Sequence, residues 1–190
     1  PDDWERFRRW SDACTGTADP EIELDAMEAI GELFEYFQQL IADRRNEPRN
    51  DMMSVLAHAE VDGARLSDED LLNFAFLLLV AGNETTRNLI ALGTLALIEH
   101  PEQRQKLIDN PALIPNAVEE MLRYTSPVTH MARHATEDVE IRGQLIRKGE
   151  TVVMLYGSAN RDEEIFGDDA EEFNVERNPN PHIAFGCGEH

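Results

Sequence analysis

The sequence predicts a mainly α-helical protein with a small β-sheet near its C-terminal end. Three observations carry this reading. Apolar residues recur at helical spacing in successive segments up to about Tyr124. One apolar-rich stretch, about 67–99, is long enough to form a dominant central helix. After Ser126-Pro127 the pattern changes to short apolar runs divided by glycine turns.

The elements follow in order. Trp4, Phe7, Arg8 and Trp10 have the spacing of a short amphipathic helix over 4–13. Thr15 to Pro20 reads as a loop. From Glu21 to about Arg45, Met27, Ile30, Phe34, Phe37 and Ile41 fall on one helical face. A polar break from Asn46 to Asn50 precedes a short helix carrying Met53, Leu56 and Ala57. Ser67, followed by Asp68, Glu69 and Asp70, starts the central helix, with a capping hydroxyl and acids at its positive end. Pro101 ends it and suits the first turn of the next helix, Pro101 to Asp109. Another runs from Pro115 to about Tyr124. Ile141, Leu145 and the run Thr151 to Tyr156 read as strands, with turns at Gly143 and Lys148-Gly149. The stretch from Asn160 to Pro181 reads as mostly irregular.

Composition narrows the function. With 17 basic and 38 acidic side chains among 190 residues, the net charge is −21. Such a surface repels nucleic acid and anionic lipid, so neither is expected as a partner. Charged residues at 29% and apolar ones at 42% are ordinary for a globular protein. Glu84 and Arg87 interrupt the central apolar run, which argues for a buried helix and against a membrane span. Two cysteines, Cys14 and Cys187, make no disulfide framework, so a reducing, cytoplasmic setting is expected. Pro1 and a Gly-rich end at His190 read as those of a piece, 1–190, of one domain truncated at both ends.

Three groups of residues could carry chemistry. Ala81-Gly82-Asn83-Glu84-Thr85-Thr86 puts poor helix formers inside a long apolar helix. A Thr hydroxyl can bond back to a carbonyl one turn earlier and open the helix there. An acid beside an alcohol at such a turn can deliver protons; the alternative is a kinked helix with a solvated Glu. Glu120 and Arg123, three apart, share a helix face and can pair, as many exposed pairs do. Phe185-Gly186-Cys187-Gly188, with His190, combines an apolar wall with a tight turn that lets backbone approach a ligand; the alternative is a simple loop turn.

Taken together, these motifs and the distances between them resemble the C-terminal half of a cytochrome P-450, a haem-thiolate monooxygenase. The resemblance covers nearly the whole chain and is strongest from Ser67 to His190. It implies that fold, in incomplete form, and haem b as the cofactor of the full-length protein. In the family's terms, Ala81 and Gly82 belong to the oxygen-binding groove, and Glu84 and Thr85 to proton delivery. Glu120 and Arg123 match the paired residues that lock the core behind the haem, and Arg177 the third member of that network. Arg133 and His190 match propionate partners. Phe185 and Gly186 match the opening of the haem loop. Val128, Thr129 and Met131 lie where the family faces its substrate. The axial cysteine is expected two residues after His190, so no metal ligand is assigned within the chain, and Cys187 occupies a variable position.

The implied activity is insertion of one oxygen atom from O2 into a small apolar substrate, with electrons from a ferredoxin and its reductase. The Gly82-Asn83-Glu84-Thr85-Thr86-Arg87-Asn88 motif is similar to bacterial members that hydroxylate sterol side chains, fatty acids or terpenoids. The fragment alone is expected to be inactive. Two other readings are a peroxide-using haem enzyme of the same fold and a non-enzymatic, degenerate paralogue.

Overall fold

The computed structural model describes residues 3–15, 25–61 and 63–188. Glu21 to Leu24, most of the expected 15–20 loop, and His190 lie outside the described residues. The chain divides by its internal packing into two units, Pro1–Glu84 and Thr85–His190.

The first unit holds α1 (Trp4–Thr15), α2 (Ala26–Asn46), α3 (Met52–His58), a hairpin of β1 (Glu60–Val61) and β2 (Ala64–Arg65), and the first part of α4 (Asp68–Glu99). Helices α2, α3 and α4 start on side-chain caps. Asp25 accepts from the Met27 N–H at 2.7 Å, and Asp51 from the Ser54 N–H at 2.8 Å. Before α4, Ser67 Oγ accepts from the Asp70 N–H at 3.1 Å, while Asp70 accepts from the Ser67 N–H at 3.1 Å and its hydroxyl at 2.6 Å. This reciprocal box satisfies donors that a bare helix end leaves orphaned. We expect Ser67→Ala to lower stability by about 1 kcal/mol. Denaturant unfolding at neutral pH measures it, and an unchanged midpoint would show that the cap contributes nothing.

The core of this unit joins Trp10, Ala29, Leu33, Phe37, Ile41, Ala57, Leu71, Leu72 and Ala75. Each fully buried leucine among them contributes about 1.5–3 kcal/mol by leaving water. Trp10 hides its ring and donates Nε1–H to Glu32 Oε2 at 2.7 Å. The inward stripe of α2 differs from the expected one. Ala29, Leu33, Phe37 and Ile41, four apart, are buried, whereas Met27 is 75% exposed and Ile30 and Phe34 are half-buried. Phe37 and Ile41 of the expected face are buried, and the face is rotated so that Ala29 and Leu33 join them in the core in place of Met27, Ile30 and Phe34.

The second unit holds the rest of α4, α5 (Pro101–Asp109), a 3₁₀ turn at Pro111–Leu113, α6 (Ile114–Thr125), four strands, and the short helices α7 (Tyr156–Ala159) and α8 (Glu163–Phe166). Its core is Ala96, Ala117, Phe173 and Val175. Gly93 permits the approach of α4 to α6, since a Cβ there would sit 2.7 Å from Met121 Sδ. The expected small sheet takes the form of separate antiparallel pairs. β3 (His130–His134) pairs with β6 (Thr151–Leu155), and β4 (Val139–Ile141) with β5 (Gln144–Ile146). Tyr156, expected to end a strand, begins α7.

One expectation is corrected. α4 runs as an unbroken α-helix through Gly82-Asn83-Glu84-Thr85-Thr86, with no opened turn there. The glycine costs about 1 kcal/mol in helix propensity, and the long helical runs on both sides carry α4 across it, because extending a helix is far easier than starting one. Among the described residues, no helix is long and apolar enough to cross a membrane.

Candidate functional site

Glu120 and Arg123, one turn apart on α6, are both fully buried. Arg123 Nε donates to Glu120 Oε2 and Nη2 to Oε1, both at 2.8 Å, a bidentate pair. Its remaining donors reach the carbonyls of Asn160, Ala170 and Glu172, each at 2.7 Å. All five guanidinium N–H groups are thereby used. Glu120 also accepts from the Asn174 N–H at 2.8 Å, from Asn180 Nδ2 at 3.1 Å and from Arg177 Nε at 3.4 Å. Arg177 in turn grips Asp169 through Nη1 at 3.0 Å and Nη2 at 3.1 Å. Two cations and two anions close the network with no net charge, which is what makes burial of Glu120, Arg123 and Arg177 tolerable, while the Asp169 carboxylate stays part-exposed at the edge.

The hydrogen bond from Arg177 holds the Asp169 carboxyl below its ordinary value of 3.8. For Arg177, burial acts downward, but the bond to Asp169 and the charge of Glu120 together outweigh it and raise the guanidinium pKa. A carboxyl lowered in the folded state contributes stability that is complete above its unfolded value and is lost as pH falls through its folded value. Stability is therefore expected to drop on acidification below about pH 4, and Asp169→Asn to flatten that part of the profile. Unfolding curves for both proteins across this range decide it; parallel profiles would remove Asp169 from the acid response.

Beside this network lies a cavity of about 260 Å³. Thr85, Thr86, Leu89, Val118, Leu122, Pro127, Val128, Ala184 and Phe185 line it. Apart from two hydroxyls its lining side chains are hydrocarbon. Phe185 is 77% exposed, yet its loop is fixed: the Gly186 N–H donates to Ile183 O at 2.8 Å, and Gly186 takes a φ of 81°. A Cβ at Gly186 would meet Tyr156 Oη at 3.1 Å, so both the backbone and the space call for glycine.

The expected site residues divide by location. Thr85, Val128 and Phe185 meet in the cavity, with Gly186 next to them, and Glu120, Arg123 and Arg177 meet in the buried network. Ala81, Gly82 and half-buried Glu84 lie earlier on α4, in the first unit. Gly82 has open space where a Cβ would stand. Thr129 and Met131 are exposed and do not line the cavity; Thr129 Oγ1 bonds His130 Nδ1 at 2.9 Å, and Met131 sits on β3 opposite Met154. Arg133 is exposed on β3, with Nη1 donating to Ala132 O at 3.0 Å. Sequence reading did not single out Leu89, Val118, Leu122 and Ala184 in the lining, or Asp169, Asn174 and Asn180 in the network. The apolar four look like any core position. The polar three fall in a stretch with no periodicity.

Comparison with known proteins decides the family. The Cytochrome P450 family model matches residues 19–190. The chain belongs to the cytochrome P450 family. It is 45% identical, over its whole length, to the polyketide biosynthesis cytochrome P450 PksS of Bacillus subtilis, covering 46% of that protein. It is 44% identical over 98% of its length to the methyl-branched lipid omega-hydroxylase of Mycobacterium tuberculosis, covering 44% of it, and 42% identical over its whole length to the linalool 8-monooxygenase of Pseudomonas putida, covering 47%. The solved structure of PksS superposes with a TM-score of 0.90, covering 98% of this chain and 48% of that one. The chain thus spans about half the length of the P450 relatives it matches, and its mainly helical architecture is an incomplete P450 fold.

The cofactor of P450 proteins is haem b. The residues present fit its organic part. The apolar cavity, about 260 Å³, would take an edge of a flat macrocycle and not the whole of it, and the exposed Arg133 guanidinium would suit an anionic substituent. For iron, the described residues hold no cluster of three or more His, Cys, Asp or Glu side chains. Cys187 is exposed between two positive-φ glycines.

Proposed function

We propose that this chain forms about half of a haem-thiolate monooxygenase that hydroxylates an apolar substrate. The observation that carries the reading is the cavity: Thr85 shares one hydrocarbon-lined space with Val128 and Phe185, beside the buried Glu120–Arg123 pair. When bound, haem supplies the chemistry of dioxygen activation, with two electrons and two protons consumed as one oxygen atom enters a C–H bond and the other leaves as water.

The chain's own residues have distinct tasks. Phe185, Val128 and Leu89 exclude water and hold the macrocycle. Arg133, with His190, pairs with the propionates. Gly82 and Ala81 leave room on α4 for a small diatomic molecule. Thr85 holds and passes a proton through its hydroxyl, and Glu84 supplies it. Glu120, Arg123 and Arg177 keep α6 and the 160–186 segment in register. A cysteine thiolate would be the iron ligand, and none is assigned to it within residues 1–190.

The relatives named for lipid and linalool oxidation support an apolar substrate of the sterol, fatty-acid or terpenoid class. Ferredoxin and ferredoxin reductase are proposed as the electron source. The test is the absorption spectrum of the reduced, carbon monoxide-bound full-length protein. A thiolate-type band is expected from it and not from residues 1–190 alone. A full-length protein that takes up no haem would overturn the reading.

A further inference from the structure

Asn160 closes α7 and is fully buried. Both its backbone and its amide are engaged. The N–H donates to Tyr156 O at 2.8 Å, and the carbonyl accepts from Arg123 Nη1 at 2.7 Å. In the side chain, Oδ1 accepts from the Ile183 N–H at 2.8 Å, and Nδ2 donates to Ser126 Oγ at 2.9 Å. The amide orientation is dictated by chemistry, because only its oxygen can accept from Ile183.

Its two side-chain partners stand at the roots of two cavity walls. Ser126 is the buried, left-handed cap of α6, φ 42°, and the next residues are Pro127 and Val128. Ser126 Oγ donates in turn to Arg123 O at 3.0 Å. Ile183 precedes Ala184 and Phe185, and its carbonyl closes the turn onto Gly186. One amide therefore joins both walls to each other and to the ion network. His182 secures the same loop from outside, with Nδ1 accepting from the Ala184 N–H at 3.3 Å and Nε2 bonding Glu119 at 2.8 Å.

We propose that Asn160 is a positioning residue for cofactor retention: its amide holds the Ile183–Gly186 turn against Ser126, fixing Phe185 relative to Val128. This rests on the haem reading above. Asn160 touches neither cofactor nor substrate on this account. It acts through the backbone of the loop.

The test uses the full-length, haem-loaded protein and two readouts. One is the rate of haem transfer to apomyoglobin; the other is hydrogen exchange at the Ile183 amide. Asn160→Ala is expected to release haem about tenfold faster, the factor that loss of one buried hydrogen bond allows, and to expose the Ile183 amide. Asn160→Asp keeps an acceptor for Ile183 and should protect that amide again, although it buries a carboxylate and gives up the donor to Ser126. Amides in α6 should exchange alike in all three proteins, which separates positioning from general loosening. An unchanged release rate in Asn160→Ala, or an Ile183 amide equally exposed in both variants, would overturn the inference. Should Asn160→Ala fail to accumulate, Ser126→Ala frees the other end of the amide. Its release should be faster than wild type, and an unchanged rate there overturns the inference too. A wild-type protein without haem sinks the functional reading itself, whereas these outcomes concern Asn160 alone.

Discussion

Arg123→Ala is expected to destabilise the protein by about 3–5 kcal/mol, the cost of stranding one member of a buried ion pair. Against a total stability of roughly 5–15 kcal/mol for a typical domain, much of the protein would be unfolded or degraded. The reason is local and countable. Removing the guanidinium strips Glu120 of its bidentate partner while the carboxylate stays fully buried. The carbonyls of Asn160 and Ala170 lose the Arg123 donor at the same time, and that of Glu172 is left with Arg177 Nη2 at 3.3 Å. Lysine does not rescue this, because one ammonium with three donors cannot satisfy five acceptor directions in a plane. Arg123→Lys should therefore also lose stability, though less. The contrast is Lys106, whose exposed pair with Glu176 at 2.6 Å should be worth no more than about 1 kcal/mol. Denaturant unfolding of the three variants in the full-length protein gives the comparison. If Arg123→Ala fell within the range of Lys106→Ala, the network would be incidental to the fold.

That contrast also marks what sequence reading reaches. Glu120 and Arg123 are legible as a pair from their spacing, but the same spacing occurs on any exposed helix. What distinguishes them is burial, and burial comes from Asn160, Ala170, Asn174 and Arg177, some 37–57 residues away in sequence. No local pattern announces such closure. The central helix was legible because its signals are local: Ser67, three acids and long apolar flanks. Its continuity through Gly82 to Thr86 was not, since local propensity argued for a break and the long helical runs on either side carry the backbone across it. β3 escaped notice because His130 to His134 is exposed at every position, so no alternation marks it. Its partner β6 supplies the ladder. Thr85 was readable through its motif, and Phe185 through the glycine beside it. Thr129 and Met131 follow Val128 in the chain but leave the cavity as β3 begins. Asn160 carried no signal at all: a single amide in an irregular stretch has meaning only through its partners.

Thr85→Ala is expected to lower product formed per electron consumed on the order of tenfold or more, a modest share of what a positioned proton donor contributes. Two hydroxyls, Thr85 and Thr86, break the hydrocarbon lining of the cavity. In such surroundings few other groups are at hand to carry a proton, so loss of the relevant hydroxyl diverts electrons into peroxide or water. Stability should move the other way. Alanine is a better helix former than threonine by about half a kcal/mol, and α4 is continuous at this position. The variant should thus remain folded, retain haem and consume electrons, while product falls. Thr85→Ser restores the hydroxyl and should recover most of the coupling. Thr86→Ala separates the two alcohols: Thr86 lines the same cavity but is the more exposed. Measuring product, peroxide and reductant consumed together in the full-length enzyme distinguishes the outcomes. Equal losses in Thr85→Ala and Thr86→Ala would mean that cavity polarity matters and that neither hydroxyl has a specific role. Unchanged coupling in Thr85→Ala would move proton delivery away from α4 altogether, and with it the role given to Glu84.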